Sequence, residues 1–160
     1  MSTATTTITA EPGSPVVEIM RDFNATPEEL LRAHVDPQLV ARWLGPRRLE
    51  IEITEMDPRH GGRYRFVHHE ADRSASYGFR GVFHGDPTTN GIVRTFEYEG
   101  APGHISLESV RFEDLGGGQT RLHAQAVHQT VESRDAMIAN GMERGVVEGY
   151  ERLDDVLTGA

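Results

Sequence analysis

SRDAMIANGMERGVVEGYERLDDVL, residues 133–157, is the stretch whose reading decides the fold. At 100° per residue, Ala139, Met142, Val146, Tyr150, Leu153 and Leu157 fall on one narrow apolar face. Ser133 is a suitable N-cap, and Asp135 places negative charge in the first turn, where the helix dipole favours it. Roughly 25 helical residues make a rod of about 37 Å, long enough to cross a small domain. Beside the apolar stripe runs a second one, Gly141, Gly145 and Gly149. Each interior helical glycine costs about 1 kcal/mol against alanine. Two returns offset that cost: close approach of the helix backbone to a sheet, or open volume kept beside the helix for a ligand. A membrane helix is excluded because Glu143, Arg144, Glu148, Glu151 and Arg152 interrupt the run.

Working outward, the 160-residue chain suits a single domain. A formal net charge of −9 argues against a nucleic-acid binder or an anionic-membrane binder, since either needs a basic face. Cysteine is absent, which excludes disulfides, thiolate nucleophiles and thiolate metal sites. Lysine is absent too, which removes Schiff-base chemistry. Residues 1–15 are rich in threonine and end in Pro12, Gly13 and Pro15; they read as a disordered tail without a signal peptide, and the default location is cytoplasmic.

Residues 16–160 read as one domain. A first strand covers residues 16–24. Thr26, Pro27 and Glu29 form a capping box that opens one short helix. Asp36 and Pro37 open a second, which Gly45 and Pro46 stop after Trp43 and Leu44. Six alternating segments follow, at residues 49–56, 63–70, 76–85, 92–99, 104–114 and 119–128, separated by Gly, Pro, Asn and Asp turns. They predict an antiparallel meander with one face to be covered, and the terminal helix is the element large enough to cover it.

Several segments resemble a known family. Asp36, Pro37, Trp43, Leu44, Gly45 and Pro46 are similar to its "DP…W-G-P" element. Met56, Asp57, Arg59, Gly61, Gly62 and Tyr64 match its "mDxRxGG-aromatic" turn. Phe79, Arg80 and Gly81, then Thr95, Phe96, Glu97 and Tyr98, match its next strands; Thr120, Arg121 and Leu122 match its last hairpin. Gly141, Met142, Gly145, Tyr150, Arg152 and Leu153 resemble its closing helix. The family is the activator-of-Hsp90-ATPase homologue type of the SRPBCC (START or Bet v1-like) superfamily. The resemblance implies an α+β helix-grip fold, with a curved antiparallel sheet of about seven strands around a long C-terminal helix and two short helices after the first strand.

Candidate site residues follow from strand parity and this resemblance. Tyr64 and Phe66, then Tyr77, Phe79 and Phe83, then Phe96 and Tyr98 share faces that the resemblance turns toward the helix. Ordinary core packing accounts for such rings equally well, yet interior phenols need polar partners. Arg94 shares parity with Phe96 and Tyr98, and an interior arginine needs a carboxylate or a ligand as partner. Arg21 and Glu97 also lie in strands with one dry face. The pocket candidates are Trp43, Tyr64, Phe66, Tyr77, Phe79, Arg94, Phe96, Tyr98, His128, Met142, Gly145, Val146 and Tyr150. His128 is also a candidate proton carrier. The eight histidines lack ligand spacing, since His68 and His69 point to opposite faces, so no metal and no cofactor is expected.

The leading expectation is a protein that binds an apolar or aromatic small molecule, lipid- or polyketide-like, between sheet and helix, as monomer or homodimer. Two alternatives accompany it: a polyketide cyclase- or aromatase-like enzyme of secondary metabolism or self-protection, acting mainly by positioning, and a chaperone partner of the Hsp90 type.

Overall fold

A computed structural model describes residues 4–159. Its sheet is antiparallel and, among the described residues, has eight strands in the order β1-β2-β8-β7-β6-β5-β4-β3. The strands are β1 (Thr7–Thr9), β2 (Val16–Phe23), β3 (Leu49–Met56), β4 (Arg63–Glu70), β5 (Ser76–Val82), β6 (Gly91–Tyr98), β7 (Ile105–Gly116) and β8 (Gln119–His128). From β3 to β8 the chain is a meander of short turns, and β8 then pairs with β2. The six alternating segments are where the sequence puts them.

The expected disordered tail is corrected in part. Thr7, Ile8 and Thr9 pair with Met20, Ile19 and Glu18 and add an eighth strand to the expected seven. Threonine and isoleucine are β-branched and suit a pleated strand, so a run that looks like low-complexity tail becomes an edge. Residues 1–3 of that tail lie outside the described residues.

Helix α1 (Pro27–Val35) opens with the predicted capping box: Thr26 Oγ1 accepts from the Glu29 amide at 3.2 Å, and Glu29 accepts from the Thr26 amide at 3.2 Å. Asp36 ends α1 and caps α2 (Pro37–Val40), accepting from the Gln38 amide at 3.0 Å.

The long terminal rod is corrected. The segment divides into α3 (Val131–Ala139) and α4 (Met142–Thr158). The N-cap of α3 is Thr130, which accepts from the Ser133 amide at 3.0 Å, and not Ser133 itself. Asn140 closes α3, and Gly141 sits at φ +88°, a left-handed conformation that glycine adopts without penalty. Gly141 is therefore a break outside any helix interior, Ala139 is exposed, and the face that carries Tyr150 and Leu153 into the core belongs to α4.

Gly145 and Gly149 do lie inside α4, but they face the segment after α2 and not the sheet. A methyl on Gly149 would stand 3.3 Å from both the Trp43 carbonyl oxygen and the Gly45 amide nitrogen; one on Gly145 would meet only Pro46 Cδ, at 3.6 Å. Of the two returns weighed for the stripe, close approach is what Gly149 provides.

The core lies between the inner sheet face, α1 and α4. Phe23, Tyr64, Phe66, Phe112 and Leu122 from the strands, with Phe83 just after β5, meet Leu30 and Ala33 of α1, Trp43, and Tyr150 and Leu153 of α4.

Candidate functional site

Register explains how the aromatic wall forms. Phe66 on β4 stands opposite Phe79 on β5, and Phe79 opposite Tyr98 on β6. Their rings stack or tilt at centroid separations of 5.1 Å for both pairs, and Phe79 reaches Phe96 at 5.4 Å. Tyr64 continues the row at 6.4 Å from Phe66 and 5.4 Å from Phe83. Gly81 makes room for it: a methyl there would collide with the Tyr64 ring and the Thr95 carbonyl oxygen, to which the Tyr64 hydroxyl donates. Phe79, Phe96 and Tyr98 remain only partly buried although they face the helix side.

Of the other predicted residues, Trp43 is buried against His34 and Tyr150, with centroids at 5.0 and 6.1 Å, and its indole N–H donates to the Ala33 carbonyl at 2.9 Å. Met142 and Val146 are half-buried on α4, with Val146 packed against the core. Tyr77 sits at the rim and donates to Glu70 at 3.0 Å. His128 is buried at the end of β8, and among the described residues no ring or ionic contact ties it to the wall. Its pKa is lowered by burial and by Arg134.

Arg94 points inward as parity requires. Its Nε donates to Glu108 of β7 at 3.4 Å, and its guanidinium lies 4.6 Å over the Tyr64 ring. The partner an interior arginine needs is therefore a protein carboxylate. Burial raises the Glu108 pKa, with Arg94 pulling against it. The guanidinium keeps its charge under all ordinary conditions, so the carboxylate stays paired with a cation. Both side chains retain some accessible surface, 15% for Arg94 and 25% for Glu108, although they lie between sheet and helix.

A second pair lies deeper. Arg21 of β2 and Asp154 of α4 approach to 3.8 Å, too long for a hydrogen bond. Among the described residues, Arg21 Nε and Nη1 and Asp154 Oδ1 are buried without a hydrogen-bond partner. Tyr150, one helical turn before Asp154, feels the fields of Glu108, Arg94 and Arg21 together, and burial raises its pKa. Its hydroxyl makes no hydrogen bond to a described residue. Arg94, Glu108, Tyr150, Arg21 and Asp154 thus form one polar base beneath the aromatic wall.

Sequence reasoning missed four members of this region. Glu108 sits in a strand whose apolar Ile105 and Leu107 suggest the opposite face as the inner one; the structure turns those two outward. Asp154 lies one position past Leu153 on the helical stripe. His34 is buried in α1 with Nδ1 2.7 Å from the Leu30 carbonyl oxygen, and burial lowers its pKa to about 4. His68 lies against Phe66 and Phe79 at 5.2 and 5.5 Å, with Nδ1 buried and without a hydrogen-bond partner among the described residues; burial and then Arg152 lower its pKa to about 4. Both imidazoles are neutral at pH 7. His69 faces outward between Glu52 and Ser76.

Among the described residues, no three His, Asp or Glu side chains are grouped to hold a metal ion, and no helix is long and apolar enough to cross a membrane. Two depressions, of about 120 and 450 Å³, border β1 and include outward residues such as Glu18, Met20, Arg111 and His123. We place the candidate site inside instead, because buried charge and unused hydrogen-bonding atoms converge there and not on the outer face.

Solved structures share this arrangement. A Rhodobacter sphaeroides protein is 28% identical, with a TM-score of 0.85 over 96% of this chain and 100% of its own. An Arthrobacter aurescens protein is 20% identical at TM-score 0.87, over 96% and 92%. CalU16 of Micromonospora echinospora is 20% identical at TM-score 0.62, over 99% and 77%. No curated protein matches the sequence significantly. Residues 24–158 match the family described as "Activator of Hsp90 ATPase homolog 1-like protein". With its curved sheet gripping a C-terminal helix, the chain belongs to that family, within the SRPBCC superfamily.

Proposed function

We propose that the protein binds an apolar, ring-containing small molecule between the aromatic wall of β4, β5 and β6 and helix α4. The observation that carries this reading is the partial exposure of Phe79 and Phe96 on the inner sheet face. Rings that merely filled a core would be sealed by the helix opposite; these retain surface that a ligand would remove from water. Each ring presents a large apolar area, and burial of such area is worth about 25 cal/mol per Å². The polar base beneath gives the site an end that differs chemically from its wall, which is the usual composition of a small-molecule pocket.

Titration with neutral N-phenyl-1-naphthylamine, followed by its fluorescence, tests the reading. One saturable site is expected. Val146→Trp, which places bulk on the helix side of the wall, weakens it; Leu107→Ser, on the outer sheet face, leaves it unchanged. Equal binding by wild type and Val146→Trp refutes the site.

A further inference from the structure

The polar base deepens the proposed function by restricting the ligand's chemistry. Its hydrogen-bonding capacity is unevenly used. Arg94 spends only its Nε on Glu108, and neither terminal nitrogen donates to a described residue. The Tyr150 hydroxyl likewise has no partner among the described residues, in a residue that is 8% exposed. Two donor groups on opposite sides of the interior, one from β6 and one from α4, therefore lack acceptors among the described residues. Neither donor is sealed away, so an acceptor that enters from the space between sheet and helix can reach both.

Charge narrows the choice. Both arginines of the polar base, Arg94 and Arg21, already stand beside carboxylates, Glu108 at 3.4 Å and Asp154 at 3.8 Å. A ligand carboxylate at this base would add a buried negative charge beside Glu108, where both neighbouring cations are already paired. A carbonyl oxygen takes the same hydrogen bonds without burying net charge, and an attached ring continues along the stacked wall.

We propose that the ligand class is an aryl carbonyl compound, a ketone or quinone, whose oxygen accepts hydrogen bonds from Arg94 and Tyr150 while its rings lie against Phe66, Phe79 and Phe96. This rests on the binding function proposed above.

Three size-matched probes separate the two ideas: 2-acetylnaphthalene, 2-ethylnaphthalene and 2-naphthoate, titrated against the full chain while amide chemical shifts are followed. The ketone is expected to bind about tenfold more tightly than the hydrocarbon, the yield of one or two buried hydrogen bonds, and the carboxylate more weakly than the ketone. Tyr150→Phe removes a single oxygen. Arg94→Met combined with Glu108→Gln removes both charges together, so that no lone ion is stranded. In each variant the ketone-to-hydrocarbon ratio is expected to fall toward one, while outer-face Leu107→Ser keeps it. Hydrocarbon binding without preference for the ketone overturns this proposal alone, as does tightest binding by naphthoate, or a ratio unchanged in both variants. Failure of all three probes to bind overturns the binding function and this proposal with it.

Discussion

Adding one methyl group to Gly149, and separately to Gly145, distinguishes a glycine that permits contact from one that does not. Both residues sit inside α4, so alanine gains about 1 kcal/mol of helix propensity at either. At Gly149 the new carbon would stand 3.3 Å from two backbone atoms, the Gly45 nitrogen and the Trp43 carbonyl oxygen. Neither atom yields easily. Trp43 is anchored by its indole hydrogen bond to Ala33, and Gly45 cannot shift toward β4, where His68 already fills the space a side chain would need. Overpacking against such a wall costs about 1–3 kcal/mol, leaving a net loss of about 1 kcal/mol. At Gly145 the methyl makes one ordinary contact with Pro46 at 3.6 Å, and the propensity gain survives. The two variants therefore differ by about 2 kcal/mol, or roughly 4–8 °C in Tm at this chain length. Gly141→Ala loses about 1–2 kcal/mol for another reason, its left-handed backbone. Urea midpoints at constant m-value give all three numbers. Equal stabilisation by Gly145→Ala and Gly149→Ala would refute the reasoning, because it would mean that the segment after α2 moves freely.

The remaining predictions concern buried polar groups. Arg21→Met strands Asp154 and is expected to cost about 3–5 kcal/mol, whereas Arg21→Met with Asp154→Leu recovers most of that in the same denaturation assay. His34 excludes its proton when folded, with a pKa of about 4 against 6.5 for the free side chain. The unfolded chain then binds more protons, so this contribution is present above pH 6.5 and is lost as pH falls toward 4. It reaches about 3 kcal/mol, and His34→Phe flattens the stability profile in that window. Trp43, at 5% exposure, should emit well to the blue of free tryptophan in the native state and shift red on unfolding; a native maximum at the solvated position contradicts its burial.

The aromatic wall was legible because a strand's period of two leaves no freedom: once Tyr64 faces inward, so do Phe66 and His68. The capping box at Thr26 was legible because both partners are local. Glu108 was hidden because its side chain answers Arg94 on another strand, and the local pattern of Ile105 and Leu107 points the other way. The break at Asn140 and Gly141 was masked by an apolar stripe that continues in register across it. β1 was hidden because threonine-rich sequence has the composition of a tail until a neighbouring strand gives it hydrogen bonds.

An open sheet has two exposed borders, and each is a template on which another chain can grow. At one border stands β1, only three residues long. At the other stands β3, bent by an irregularity between Ile53 and Glu55 and carrying Glu50, Glu52 and Glu55 on exposed positions. A bent border fringed with charge discourages the edge-to-edge stacking that begins aggregation. These carboxylates are engaged by Arg73, His69 and Arg63, so the fringe is held in place and not free to swing aside. A concentrated stock should thus tolerate storage best at neutral pH and modest ionic strength, where the fringe and the net charge of −9 both repel neighbours.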